Sequence, residues 1–162
     1  MENNIPDKPI TDASSSQLSG DDMLKLDNQL CFALYVCSKE IIRKYKPLLD
    51  PYGLTYTGYI TLLALWEADE VTVKDLGARL YLDSGTLTPL LKKLEVQGYI
   101  ERTRSTTDER NVVIRLTKKG RELKIDAYQI PKDLICSTHL EAIDAYSLLA
   151  NLHRFMEQII DQ

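Results

Sequence analysis

Residues 82–95, LDSGTLTPLLKKLE, decide the reading of this chain. Asp83 has a short carboxylate suited to capping the free N–H groups at a helix start. Leu87, Leu90, Leu91 and Leu94 recur at helical spacing and make one face apolar. Ser84, Thr86, Thr88, Lys92 and Lys93 fall largely off that face. Gly98 then ends the helix in a position that tolerates a left-handed backbone. Pro89 sits mid-pattern, removes one N–H and predicts a bend. Hydroxyls near the N-terminus with lysines further on suit a DNA groove, since hydroxyls bond base edges or phosphates and lysines neutralise phosphates. Taken alone, the stretch reads equally well as an ordinary amphipathic helix with a solvated polar face, so its neighbours have to decide.

Upstream, residues 72–80 open on TVKD, a capping-box-like start, and Val73, Leu76 and Leu80 point inward. Tyr81-Leu82-Asp83 form a short turn between this helix and the next, the helix-turn-helix arrangement. Downstream, Tyr99–Arg104 and Val112–Thr117 are β-favouring arms around a polar tip, Ser105–Asn111. This predicts a two-stranded wing carrying Arg102, Arg104, Arg110 and Arg115. Asp108 stands two residues from Arg110 and can hold its planar fork, and a basic tip can enter a narrow minor groove. A solvated hairpin is the plain alternative. Two adjacent motifs of the same charge sign favour a winged helix-turn-helix.

The flanks read as helices. Residues 1–20 are polar and Ser-rich and are expected to form a disordered arm. Residues 21–46 predict one long helix, with Leu26, Leu30, Leu34, Cys37 and Ile41 as its stripe and Pro47 closing it. A short helix near 48–51 leads into Pro51-Tyr52-Gly53. Residues 55–68 are apolar nearly all round and are expected to be buried. Thr117 to Cys136 forms a helical segment with an interruption expected at Pro131. Thr138-His139-Leu140-Glu141 is a capping box before a last helix whose Leu148, Leu149, Leu152, Phe155, Met156, Ile159 and Ile160 need a partner, within the chain or in a second copy. A two-fold dimer would set paired recognition helices on half-sites about 34–36 Å apart.

The expected fold class is mainly α with a small β-wing. A single domain over 21–162 is expected, with the winged helix-turn-helix at about 55–118 and dimerisation helices at about 21–50 and 119–161. The chain has 162 residues, 44% hydrophobic and 27% charged, in keeping with a globular domain with its own core. Its net charge of −4 hides an asymmetry. Between Lys74 and Lys124 there are 12 Lys/Arg against 7 Asp/Glu, a net of +5, which leaves −9 for the remainder. No apolar run is long enough to cross a bilayer and the first 20 residues lack a signal peptide's apolar centre, so a cytoplasmic protein with no membrane partner is expected. Three cysteines, Cys31, Cys37 and Cys136, do not suggest a disulfide framework. No zinc spacing, Walker loop, GxGxxG or nucleophile elbow is present, and no metal, cofactor or enzymatic activity is expected.

The run LDSGTLTPLLKKLEVQGYIERTRSTTDERNVVIRLTKKG resembles the winged helix-turn-helix of the MarR transcriptional regulators. LDNQLCFALYVCSKEIIRKYKPLLDPYGLTYTGYITLLALWE resembles their organic hydroperoxide-sensing branch, the group of OhrR, MgrA and SarZ. The resemblance covers about residues 24–124 well, weakens over the last helices and excludes residues 1–20. It implies a cytoplasmic homodimeric repressor on double-stranded DNA with an inverted-repeat operator. It places Ser84, Thr86, Thr88, Pro89 and Lys93 in the major-groove helix and Arg110, oriented by Asp108, at the wing tip. Lys92, Arg102 and Arg104 add basic charge to that surface. Cys31 takes the reactive-cysteine position, and Tyr35, Tyr45 and Tyr56 match the tyrosines around it.

Cys31 and Tyr35 are four apart on one helix and are neighbours. A phenolic O–H donated to the sulfur favours thiolate, the form that organic hydroperoxides oxidise. Read without the resemblance, Cys31 is an inert buried cysteine. Cys37 lies about 9 Å further along the axis, too far for a disulfide with Cys31, and is expected in the core. The resemblance further implies that Cys136 resolves oxidised Cys31 in the other subunit. The competing expectations are a MarR-type repressor responding to a phenolic ligand, a thiol peroxidase using Cys31, and a winged helix that binds a partner instead of DNA.

Overall fold

The computed structural model describes residues 20–104, 111–138 and 142–160. The chain divides into two compact units, residues 1–40 and 41–162. In the first, helix α1 spans Gly20–Met23, a 3-10 turn spans Leu26–Asn28, and helix α2 begins at Leu30 and continues to Leu49. The single helix expected over 21–46 is therefore broken twice, at Lys25 and Gln29, both extended. Side chains compete with the helix there. Asn28 donates to the Asp22 carbonyl at 2.7 Å and Gln29 to the Met23 carbonyl at 2.6 Å. Pro47 does not close α2, which runs on to Leu49. Leu49 is fully buried, and its core packing outweighs the hydrogen bond that Pro47 removes.

The second unit is built around helix α3, Tyr56–Glu67, capped by Thr55, whose hydroxyl accepts from Gly58 N–H at 3.1 Å. Tyr59, Leu62 and Leu65 enter the core, as the apolar sequence predicts, while Leu63 stays exposed. Strand β1, Val71–Thr72, precedes helix α4, Val73–Leu80. Helix α5 is Ser84–Val96, followed by strands β2, Ile100–Arg104, and β3, Val112–Leu116. The expected two-stranded hairpin is thus the larger part of a three-stranded antiparallel sheet, ordered β1-β3-β2. Register runs Ile100↔Leu116 to Arg104↔Val112 in the hairpin and Val71↔Ile114 on the other edge. Leu76, Leu87, Leu91, Leu94, Ile100 and Ile114 share one core with α3.

Helix α6 spans Lys118–Ala127, α7 Ile130–Thr138 and α8 Ala142–Ile160. The interruption expected at Pro131 falls at Tyr128 and Gln129 instead. Pro131 sits in the first turn of α7, where a missing N–H costs least. On α8, Leu148, Leu149, Met156, Ile159 and Ile160 are exposed in the single chain. The wing tip with Asp108 and Arg110, and residues 139–141 of the expected capping box, lie outside the described residues.

Gly120 locks α6 beneath the wing. A Cβ there would clash with the Tyr99 carbonyl oxygen. The Gly120 carbonyl accepts the Trp66 indole N–H at 2.9 Å. Gly120→Ala is expected to cost about 1–3 kcal/mol, since the clash is with backbone and cannot be relieved by a rotamer change. Urea unfolding measures it; an unchanged midpoint would contradict this packing.

Candidate nucleic-acid interface and cysteine site

Helix α5 is fixed at both ends. Asp83 accepts the Thr86 N–H at 2.9 Å through Oδ1 and the Thr86 hydroxyl at 2.9 Å through Oδ2. These bonds hold its carboxyl below the usual carboxylate range. The cap's stabilisation is therefore present above the ordinary carboxylate pKa and is lost as pH falls through the depressed value. At the other end Gly98, with φ 76°, donates to the Glu95 carbonyl at 2.9 Å, and Tyr99 N–H donates to the Leu94 carbonyl at 3.0 Å. This is the Schellman pair of bonds.

Between these ends Leu87, Leu91 and Leu94 are buried and Leu90 is half-buried. Ser84, Thr86, Thr88, Pro89, Lys92 and Lys93 are all exposed. Pro89 leaves α5 unbroken. The structure thus keeps six of the predicted DNA-facing residues on the solvent side of α5, away from the buried leucines.

The described wing arginines differ in their surroundings. Arg104 is exposed at the end of β2. Arg102 is half-buried, and its Nε donates to Glu95 Oε2 of α5 at 2.8 Å. Its first partner is therefore the neighbouring helix. Between α5, the start of α4 and the wing lies a cleft of about 520 Å³, lined by Thr72, Lys74, Ser84, Thr88, Arg102 and Asn111 among others.

Cys31 and Tyr35 are in the first unit, both exposed and one helical turn apart. Cys37 is exposed too, contrary to the core position expected for it, because its stretch of α2 is uncovered in the single chain. Cys136 is exposed on α7. In the second unit, Tyr45 and Tyr56 have ring centroids 4.9 Å apart at 48°. Tyr59 completes the cluster, 5.7 Å from Tyr45 at 42°. Burial first, then Tyr56 and Tyr59, push the Tyr45 phenol up to about 12. Burial and Tyr56 raise Tyr59 as well. Tyr45 thus stays a protonated donor across the ordinary tyrosine range. Sequence reasoning passed over Tyr59, although its place three residues after Tyr56 puts both on one helix face.

Among the described residues no group of three or more His, Cys, Asp or Glu is placed to hold a metal ion. No described helix is long and apolar enough to cross a membrane.

Residues 43–127 match the family model described as Transcriptional regulator SarA/Rot. The chain is 49% identical over 137 residues to the HTH-type transcriptional regulator SarZ of Staphylococcus saprophyticus, covering 85% of this chain and 94% of that protein. It is 48% identical over 138 residues to the organic hydroperoxide resistance transcriptional regulator of Bacillus subtilis, again 85% and 94%. Reduced AbfR bound to DNA superposes with a TM-score of 0.69 at 31% identity, covering 85% and 96% of the two chains. Overoxidised AbfR bound to DNA gives 0.70 at 33%, covering 86% and 98%. Disulfide-formed AbfR gives 0.60 at 32%, covering 87% and 93%. With its wing, its capped second helix and relatives of this identity, the chain belongs to the MarR-type winged helix-turn-helix transcriptional regulators, in the branch that holds SarZ and the organic hydroperoxide resistance regulator.

Proposed function

We propose that this regulator is a cytoplasmic homodimeric repressor that releases an inverted-repeat operator when an organic hydroperoxide oxidises Cys31. The observation that carries the DNA half is α5: a capped helix whose Leu87, Leu91 and Leu94 are buried and whose Ser84, Thr88, Lys92 and Lys93 are exposed beside the wing, with Thr86 exposed but bonded to the Asp83 cap. Hydroxyls and Pro89 face the major groove, lysines take phosphates, and Arg104, with Arg110 held by Asp108, serves the wing contact. Arg102, its charge compensated by Glu95, ties β2 to α5 instead of offering a free cation. The winged helix-turn-helix at about 55–118 works within a domain of 21–162. The apolar residues left exposed on α8 support pairing of the helices at about 21–50 and 119–161 with a second copy.

The redox half rests on the branch to which the chain belongs and on the tyrosines. Tyr35 stands one turn from Cys31 and supplies a donor that favours thiolate, the role that the family resemblance also gives to Tyr45 and Tyr56. The thiolate attacks one oxygen of the hydroperoxide. An S–O bond forms, the O–O bond breaks, and the leaving alkoxide takes a proton to become an alcohol. The Cys136 thiol of the partner subunit then attacks the sulfenic sulfur, forming a disulfide and releasing water. AbfR is solved on DNA both reduced and overoxidised. Overoxidation is therefore compatible with DNA binding in that protein, which favours the disulfide as the releasing event here. A small phenolic ligand as trigger is the second reading, favoured by the cleft between α5 and the wing.

Fluorescence anisotropy on DNA from upstream of the chain's own gene tests the mechanism. Wild type should bind tightly and release on titration with an organic hydroperoxide, while Cys31→Ser should stay bound. Cys136→Ser should lose the slow-migrating dimer on a non-reducing gel. Release of Cys31→Ser by the same oxidant would sink the redox account and leave the ligand trigger. The tyrosine cluster has its own check. A phenol raised in the folded state stabilises fully below the ordinary tyrosine pKa and loses that contribution as pH rises through about 12. Unfolding free energy should thus fall above about pH 10 in wild type and fall less in Tyr45→Phe. Parallel curves would contradict the burial of Tyr45.

A further inference from the structure

The loop between α3 and β1 is where the wing is anchored. Register Val71↔Ile114 continues to residue 69 opposite Leu116, yet β1 begins only at Val71. Glu70 has a φ of 61°, which turns the backbone out of the strand before it can pair further. The Asp69 side chain takes over the ladder. Its Oδ1 accepts the Leu116 N–H at 2.8 Å, the bond that a strand carbonyl would otherwise make. The same oxygen accepts the Glu70 N–H at 2.9 Å, and Oδ2 accepts Arg121 Nη1 of α6 at 2.7 Å. One more ion pair leaves this loop, Glu70 to Arg115 of β3 at 3.1 Å, and Glu67 at the end of α3 pairs with Arg79 of α4 at 2.7 Å. Those two are well exposed, whereas the Asp69 side chain is only 29% exposed.

We infer that Asp69 is a positioning residue for DNA binding, which sets the pitch of the wing against the helix-turn-helix. This rests on the DNA-binding reading above. β3 is the central strand, and Leu116 is its last residue, at the root of the hairpin. Five residues from root to outer end make a lever of about 17 Å, so a tilt of roughly 10° at the root moves the outer end by about 3 Å. A hydrogen bond from Arg104 to a phosphate does not survive a displacement of that size. Arg102–Glu95 ties β2 to α5, while Asp69 and the exposed Glu70–Arg115 pair tie β3 to the loop after α3.

The test measures binding to the same upstream fragment across a salt series, with urea unfolding alongside. Asp69→Ala should weaken binding roughly tenfold and lower the magnitude of the salt slope by about one, as loss of one phosphate contact does. Arg104→Ala should do the same, and the double variant should be little weaker than either single, because both remove the same contact. Asp69→Asn keeps an oxygen for both N–H groups and should stay within about threefold of wild type. If Asp69→Ala does not fold, Asp69→Ser carries the test with the same expectation. Wild-type slope in the folded Ala or Ser variant overturns the inference, and so does full additivity with Arg104→Ala. Wild type that ignores the fragment at low salt overturns the DNA-binding reading and this inference together; wild type that binds while Asp69→Ala matches it overturns this inference alone.

Discussion

The packing of Leu87, Leu91 and Leu94 against α3 is the contact on which the rest depends. A helix of this length is marginal by itself, and tertiary packing fixes which way it faces. Once those three side chains are buried, the 3.6-residue period leaves Ser84, Thr88, Lys92 and Lys93 no place but the outside. The same burial sets the exit of α5. The Schellman bonds at Gly98 turn the chain at once into Tyr99 and Ile100, both buried, and so bring the wing strands alongside the helix whose polar face they flank.

Electrostatics then divide the labour. Charged groups near the joints are mostly paired: Arg79 with Glu67, Arg115 with Glu70, Arg121 with Asp69, Arg102 with Glu95. Exposed pairs of this kind contribute little stability each. Their geometry matters more: Asp69 and Glu70 tie α6 and β3 to the loop after α3, Glu67 ties α4 to the end of α3, and Glu95 ties β2 to α5. Lys92, Lys93 and Arg104 are exposed, in keeping with the phosphate-binding role proposed for them. The net charge of −4 is thus no obstacle to a polyanionic partner, because the acidic excess lies outside the stretch from Lys74 to Lys124.

What the sequence made legible was local. Thr72 and Asp83 act as the caps their positions predicted, and the leucine period of α5 gave its buried face directly. What it hid depends on contacts distant in the chain. β1 is two residues long and exists because β3 offers it an edge, so no periodicity could announce it. Pro47 lies inside α2 because Leu49 has a core to enter. The break after Met23 follows from Asn28 and Gln29 bonding back to carbonyls six residues earlier. Arg102 reads as a phosphate ligand by composition, and only the fold places Glu95 beside it. Tyr59 was passed over as core, although the core it fills is the tyrosine cluster itself. Cys31 and Tyr35 were legible as neighbours from their four-residue spacing, whereas Tyr45 and Tyr56 entered the reading only through the family resemblance, since spacing cannot join a residue of α2 to one of α3.

The central claim is that the polar face of α5 and the adjoining wing together meet DNA. Backbone amide chemical shifts of the isotope-labelled chain, followed while duplex operator DNA is added, test it most directly. The account predicts the largest changes from Ser84 to Lys93 and around Arg104, with Tyr56 to Leu65 of α3 little affected. Changes centred on α8 or on the tyrosine cluster, with α5 and Arg104 unmoved, would contradict it.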